Sequence, residues 1–135
     1  MESKVGGFFN EESVISGLSG DKGNFGKAHY SDGEMIIEFI MDAVRKEVEK
    51  SDSVEGFQYV MGIGGGTGSG LGSKILSQIR EYYPDKVSDC YPIFPSVDQE
   101  TEEIGIINSI LFMNYCVENC DIYRIANNQG LYQSC

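Results

Sequence analysis

The sequence Gly64-Gly65-Gly66-Thr67-Gly68-Ser69-Gly70 decides the fold, because the residues on its two sides follow different periodicities. Residues 57–63 before it are rich in aromatic and β-branched side chains, which predicts a buried strand. After it, apolar residues recur at helical spacing up to Pro84, which predicts a helix; they are Leu71, Ile75, Leu76, Ile79 and Tyr83. The glycine loop therefore connects a strand to the start of a helix.

The glycine loop has the chemistry of a phosphate-binding site. Glycines let successive backbone N–H groups converge on the oxygens of an anion. The N-terminus of the following helix adds unpaired amides and a favourable dipole. Thr67 and Ser69 can donate hydroxyl hydrogen bonds to the same oxygens. A glycine run can also be a plain tight turn, but the length, the hydroxyls and the strand–loop–helix context of residues 64–70 favour phosphate binding.

Two common nucleotide motifs do not fit the loop. A Walker A loop ends in Gly-Lys followed by Ser or Thr, whereas Gly70 is followed by Leu71 and Gly72. The GxGxxG fingerprint needs glycines at offsets of zero, two and five, and no such triplet occurs in residues 62–73. The loop therefore belongs to neither class.

The other segments predict an alternation of helices and strands. Residues 1–30 contain six glycines and are predicted to be mostly loop. Ser31 and Glu34 form a capping-box pattern at the start of a predicted helix over residues 31–50. The remaining predicted elements are a strand over residues 90–94, which Pro92 weakens because proline cannot donate to a sheet ladder, a helix over 104–117 and a strand over 121–126. Single helices between strands predict a parallel α/β fold.

Composition narrows the possible partners. The chain has 135 residues, with 10 basic and 21 acidic side chains and a net charge of −11. This negative charge disfavours nucleic acid and anionic membranes as partners. The sequence contains no apolar stretch near the length of about 18 residues that a membrane span needs, and residues 1–10 lack the apolar core of a signal peptide.

The cysteines and the histidine do not predict a metal site. Cys90, Cys116, Cys120 and Cys135 form no CxxC pair and no metal-ligand spacing with His29, the single histidine. Reduced thiols are the simplest interpretation, with Cys116 and Cys120 on one buried helical face. His29 is expected to be structural rather than catalytic.

GGGTGSG after an apolar strand resembles the signature of the tubulin family, which the bacterial homologue FtsZ shares in similar form. The resemblance extends without a gap from about residue 17 to residue 135. Segments similar to tubulin are GKAHY at 26–30, VRKE at 44–47, GFQ at 56–58, KILSQIREYYPD at 74–85, NSIL at 108–111 and NNQGLYQSC at 127–135. The GFQ and YYPD segments are most like β-tubulin, while RKEVEK at 45–50 also resembles the delta branch.

The resemblance implies a fold and a nucleotide site. The fold would be an incomplete Rossmann-like parallel sheet with helices on both faces. Residues 64–70 would hold the phosphates of GTP or GDP, Gly23 and Asn24 would approach the γ-phosphate, and Asn128 would recognise guanine. From the residues alone, a helix N-cap is the favoured interpretation of Asn128. Mg²⁺ is implied by the family only, and neither a metal ligand nor a catalytic residue is identified.

Several positions depart from the family pattern. Gly62 stands where tubulins have a serine that reaches phosphate, and Gly23 stands where they have an asparagine. Asp21 brings a negative charge towards the phosphates. Thr101 and Gly105 replace an aspartate and a glutamate of the ribose loop. Each change removes or weakens a nucleotide contact.

The sequence therefore suggests a tubulin-family GTP-binding protein, a structural constituent of the microtubule cytoskeleton in the cytoplasm that associates with other tubulin subunits. Residues 1–135 would be part of the nucleotide-binding domain, without the second domain, the C-terminal helices and the water-activating segment. The alternative is an interaction protein that no longer binds nucleotide and associates with tubulin or a chaperone through an exposed sheet edge. A free-standing GTPase is disfavoured because the water-activating segment is missing.

Overall fold

The helices and strands alternate along the chain. The computed structural model describes residues 13–16, 23–95 and 103–127. In chain order the elements are α1 (Phe25–Lys27), a first π-helical turn (Ala28–Asp32), α2 (Gly33–Lys50), β1 (Gly56–Gly62), a second π-helical turn (Thr67–Leu71), α3 (Gly72–Tyr82), β2 (Val87–Phe94), α4 (Glu103–Asn119), β3 (Ile122–Tyr123) and β4 (Ala126–Asn127). None of the helices in these residues is long and apolar enough to cross a membrane.

The strands form one open parallel sheet. Its order is β1-β2-β3, and β4 continues beyond β3 along the same side of β2. The register places Tyr59 beside Cys90 and Cys90 beside Tyr123. Helix α3 connects β1 to β2, and α4 connects β2 to β3. The predicted parallel α/β fold is confirmed.

The described helices cover one face of this sheet. The buried core joins residues of β1, β2, α3 and α4, and residues of α2 pack against it; its members are Tyr59, Ile63, Leu76, Ile79, Cys90, Phe112 and Cys116. On the opposite face of β1, the side chain of Val60 is 66% exposed. The resemblance implied helices on both faces. Because both crossovers step in the same direction across the sheet, their right-handedness places α3 and α4 on the same side.

The first long helix begins earlier than predicted. Asn24 caps α1, since its Oδ1 accepts a hydrogen bond from the backbone N of Lys27 at 3.1 Å. The chain then continues through the first π-helical turn into α2. The prediction of a loop is therefore wrong for residues 25–30. The predicted capping box at Ser31 is also wrong, because Ser31 lies inside the helix. Asn24 supplies the N-terminal cap about two helical turns upstream of the predicted one.

Pro92 lies within β2, the central strand of the sheet, although the sequence predicted that the proline would weaken a strand here. The carbonyls of Ser88 and Cys90 accept hydrogen bonds from the backbone N of Asp121 at 2.9 Å and of Arg124 at 2.8 Å. Strand alternation directs the nitrogen of Pro92 to that same side. The ladder there is interrupted between β3 and β4, so the missing N–H of the proline costs no strand hydrogen bond.

A bidentate ion pair connects α3 to the start of β3. The Nη1 and Nη2 atoms of Arg80 each lie 3.0 Å from a carboxylate oxygen of Asp121. The same carboxylate accepts a hydrogen bond from the backbone N of Ser88 at 2.9 Å. These two bonds hold the pKa of Asp121 below its usual value, with the Ser88 amide as the larger cause. Asp121 thus joins a helix end to two strands.

We predict that Asp121→Ala lowers the free energy of unfolding more than Arg80→Ala does. Loss of the carboxylate also removes the acceptor of the Ser88 amide, at a cost of about 1–2 kcal/mol, whereas a half-exposed ion pair alone contributes less than about 1 kcal/mol. Urea unfolding of both variants measures the difference. Asp42→Ala is the matched control, since the ion pairs of Asp42 among the described residues are with Arg45 and Lys46 on its own helix. Equal losses in the Arg80 and Asp121 variants would contradict the ranking.

Candidate functional site

The glycine loop lies at the carboxyl end of β1, where ligands of parallel α/β sheets usually bind. It leads directly into the second π-helical turn, and the backbone N of Ser69 donates to the carbonyl of Gly65 at 3.1 Å as the first helical hydrogen bond. Gly65 and Thr67 are exposed at this point. The loop presents a helix N-terminus with an open approach to it.

Most glycines of the loop are required by close packing within the chain. A Cβ on Gly66 would lie 2.6 Å from the backbone N of Asn24. A Cβ on Gly68 would overlap the carbonyl of Gly62, and one on Gly70 the carbonyl of Phe25. A Cβ on Gly65 would meet no atom within 4 Å. Gly65 therefore faces open space, and its glycine neighbours bring the backbone of three segments together.

Ser69 and Thr67 have different environments. The side chain of Ser69 is fully buried, and its hydroxyl donates to the carbonyl of Gly65 at 2.6 Å. This hydroxyl therefore stabilises the loop through an internal hydrogen bond and does not face the exposed surface of the loop. Thr67 is exposed beside Gly65. Of the two hydroxyls that the sequence singled out, Thr67 is the one placed to meet a ligand.

A second loop lies against the first. Gly23 has a positive φ of 73°, which turns the chain into the cap residue Asn24. The close approach of Gly66 to Asn24 places the start of α1 beside the start of the second π-helical turn. Two helix N-termini thus lie next to each other, and both favour an anion.

Asn108 joins these two loops, and sequence reasoning assigned it no role in the site. Its side chain on α4 is 2% exposed, and Nδ2 donates to the carbonyl of Gly23 at 2.8 Å and to that of Gly64 at 3.1 Å. The hydroxyl of the next residue, Ser109, donates to the carbonyl of Gly105 in its own helix at 2.8 Å and lies 3.3 Å from the carbonyl of Ile63. An asparagine within the apolar run of α4 was the signal that could have indicated a buried polar role.

His29 fixes the first π-helical turn to α3. The imidazole is buried and stacks on Phe25 at 5.4 Å between ring centroids. Its Nδ1 lies 3.1 Å from the carbonyl of Gly70 and 2.8 Å from Oγ of Ser73. Because a carbonyl can only accept, the contact with Gly70 assigns the proton to Nδ1. Burial lowers the pKa of His29 below 6.5, and the bond to Gly70 partly opposes this. The contacts are those of a structural residue.

The lysines on the bordering helices already pair with carboxylates. Lys74 on α3 is mostly buried and pairs with Glu34. Lys27 on α1 lies 3.4 Å from Asp32. Attraction of an anion to the loop therefore depends mainly on backbone amides and helix dipoles. Asn128, Asp21 and Thr101 lie outside the described residues, so their predicted roles remain predictions.

Comparison with known proteins identifies the family. Residues 1–135 match the model of the Tubulin/FtsZ family, GTPase domain. The chain belongs to this family. It is 38% identical over 131 residues to the Tubulin beta-8 chain of Oryza sativa subsp. japonica, covering 97% of this chain and 29% of that protein. It is also 38% identical over 133 residues to the Tubulin beta-6 chain of Gallus gallus, covering 98% and 30%. The resemblance to tubulin is confirmed.

This tubulin-family chain spans 29–30% of the length of these two relatives. The match nevertheless includes every described element, from α1 to β4. The glycine loop, the Gly23–Asn24 turn and Asn108 therefore all lie within the region that matches the GTPase domain.

We predict that Asn108→Ala destabilises this tubulin-family domain by about 1–3 kcal/mol, because the carbonyls of Gly23 and Gly64 each lose a hydrogen bond from this side chain. Asn108→Asp keeps the shape but faces those carbonyls with acceptor oxygens, and we expect it to be at least as destabilising. Urea unfolding measures both effects, and hydrogen exchange at residues 64–67 reports the loosened loop. Asn114→Ala, an exposed asparagine on the same helix, is the control. Equal stability of the Asn108 and Asn114 variants would rule out the bridging role.

We predict that the single histidine titrates below its ordinary pKa of 6.5, since burial disfavours the imidazolium form. The unfolded chain then binds a proton at a higher pH than the folded chain does. Stability is therefore present above the unfolded pKa and decreases as the pH falls towards the folded pKa. NMR titration of the ring resonances measures the folded value, and the same titration in urea provides the reference of about 6.5. A folded pKa at or above that reference would contradict the buried neutral state.

Proposed function

We propose that this chain is the phosphate-holding part of a GTP-binding tubulin-family domain and a structural constituent of the microtubule cytoskeleton. One observation carries the proposal: two helix N-termini lie side by side at Asn24 and Gly66, with Gly65 and Thr67 exposed beside them. Membership of a family described by its GTPase domain favours GTP and GDP over other phosphate ligands.

The loop residues divide into two groups in this proposal. The amides of Gly64 and Gly65 and the hydroxyl of Thr67 contact phosphate oxygens. The positioning residues hold those groups in place through close packing or internal hydrogen bonds; they are Gly66, Gly68, Ser69 and Gly70. Gly23 and Asn24 approach the γ-phosphate, and Asn128 recognises guanine.

The cradle fits a phosphate group. A Cβ at Gly65 would occupy the open space that a phosphate oxygen needs, and the helix N-terminus beside it favours negative charge. Residues 62–71 contain no carboxylate. A Mg²⁺ ion would therefore take most of its ligands from phosphate oxygens and water, as Mg²⁺ usually does at nucleotides. GTP would supply the negative charge that the paired helix N-termini favour.

Helix α4 supports assembly with other tubulin subunits. Its buried side contains small and polar residues, including Gly105, Asn108 and Ser109. Its exposed side carries large apolar residues, each at least 41% exposed; they are Ile104, Ile106, Ile107, Ile110, Leu111 and Val117. An apolar surface of this kind marks an interface. We propose that further tubulin-family structure covers it, within filaments in the cytoplasm.

A second candidate function is an interaction protein that does not bind nucleotide. Among the described residues β1 pairs only with β2, so its other edge is open, and Val60 is exposed on the uncovered face. An open edge can accept a strand from tubulin or a chaperone. Gly62, where tubulins have serine, favours this candidate because it removes a phosphate contact.

We predict saturable binding of a fluorescent GTP analogue to the purified chain, with displacement by GTP and GDP but not by ATP. Thr67→Ala weakens binding by about 10–100-fold, the value of one hydrogen bond to a charged group. Gly62→Ser strengthens binding, because a side chain at Gly62 meets no atom within 4 Å. Ser77→Ala is the matched control, since that hydroxyl bonds only within α3.

The same titration separates the two candidates. Absence of binding up to about 1 mM analogue, where binding is worth only about 4 kcal/mol, would rule out the first. Co-sedimentation with preformed microtubules in the absence of added nucleotide would then support the interaction protein. Binding that Thr67→Ala and Ser77→Ala weaken equally would place the ligand elsewhere.

A further inference from the structure

Three cysteine side chains come together in the core between the sheet and helix α4. Cys90 lies on β2, Cys116 lies on α4, and Cys120 follows the end of that helix. Their Sγ atoms all lie within 4.8 Å of one another. Cys90 and Cys116 are fully buried, while Cys120 is only partly buried. Sequence spacing did not predict this cluster because it joins a strand to a helix.

The fold explains why the three side chains converge. Cys116 and Cys120 are four residues apart, and the backbone N of Cys120 donates to the carbonyl of Cys116 at 2.9 Å, so both lie on one helical face. Cys90 points from the sheet towards that face, as does Tyr59 beside it. The cluster is part of the core and separate from the glycine loop.

The spacing suits a metal ion. Zinc binds thiolates at about 2.3 Å, which places the sulfurs of a tetrahedral site about 3.8 Å apart. Sulfurs within 4.8 Å of one another reach that arrangement with shifts of about 1 Å or less. Burial alone explains a single cysteine in a core, but it does not require three sulfurs to meet at one point.

A neighbouring polar atom supports the same conclusion. The hydroxyl of Tyr59 is buried and forms no hydrogen bond of standard geometry among the described residues, although the side chain of Ser88 lies near it. A metal-bound thiolate would provide a full acceptor for this hydroxyl.

We propose that Cys90, Cys116 and Cys120 form a three-thiolate binding site for Zn²⁺. The fourth ligand position lies on the side of Cys120, where the cluster is accessible, and is filled by water. Metal binding releases the thiol protons and joins β2 to the C-terminal end of α4. The site therefore stabilises the fold and does not take part in nucleotide binding.

The test is a titration of the reduced chain with Co²⁺, which reports thiolate ligands by its charge-transfer absorption. We expect one Co²⁺ per chain, the visible spectrum of a tetrahedral ion and complete displacement by one equivalent of Zn²⁺. Zn²⁺ should also raise the thermal unfolding midpoint, because the unfolded chain lacks the site. Folded wild-type chain that shows no charge-transfer band would overturn the proposal.

Two cysteine variants locate the site. Cys120→Ser removes a partly exposed ligand, and we expect loss of the charge-transfer band with circular dichroism unchanged. Cys135→Ser removes the fourth cysteine of the chain, and we expect the full band. A band that persists in Cys120→Ser, or that disappears equally in Cys135→Ser, would assign the metal to other ligands. If Cys120→Ser fails to fold, Tyr59→Phe provides the second test: it keeps all three thiols and should retain the stoichiometry with weaker affinity, and unchanged affinity would argue against the site.

Discussion

The arrangement of the glycine loop and the Gly23–Asn24 turn depends on one buried side-chain amide, that of Asn108. Asn108 donates both of its Nδ2 hydrogens to carbonyls, those of Gly23 and Gly64, which belong to two loops far apart in the chain. These two hydrogen bonds together contribute about 1–3 kcal/mol. The bridge holds the two loops together, and the close packing of Gly66 on Asn24 follows from it. A side chain of α4 thus fixes the position of the two loops relative to each other.

Local patterns predicted the centre of the fold well. The strand expected at residues 57–63 is observed at Gly56–Gly62, and the helix expected from Leu71 begins at Thr67 with a π-helical turn. Both depend on periodicity over a few residues, which the sequence displays directly. The start of the first helix was missed because the glycine density before residue 31 concealed the Asn24 cap.

Contacts between distant segments could not be predicted in this way. The Asn108 bridge and the meeting of Cys90 with Cys116 depend on how α4 lies on the sheet, and no local pattern specifies that. Pro92 shows the same limit. The rule that proline belongs at a sheet edge is sound for a continuous ladder, but the gap between β3 and β4 lies opposite Pro92. Tertiary arrangement therefore decided each of these three cases.

Gly23 stands where the family has an asparagine. This difference distinguishes what the turn requires of the backbone from what a ligand would require of the side chain. Its φ of 73° lies in the left-handed region, where glycine and asparagine are the residues most readily accepted. A glycine in place of the family asparagine therefore keeps the turn while removing a carboxamide. Gly62 removes a hydroxyl in the same manner, since its surroundings are open. The packing glycines at 66, 68 and 70 remain, so in the proposed phosphate site these changes would remove side-chain contacts without altering the packing of the loop. We therefore expect departures of this kind to weaken phosphate binding while the site stays formed.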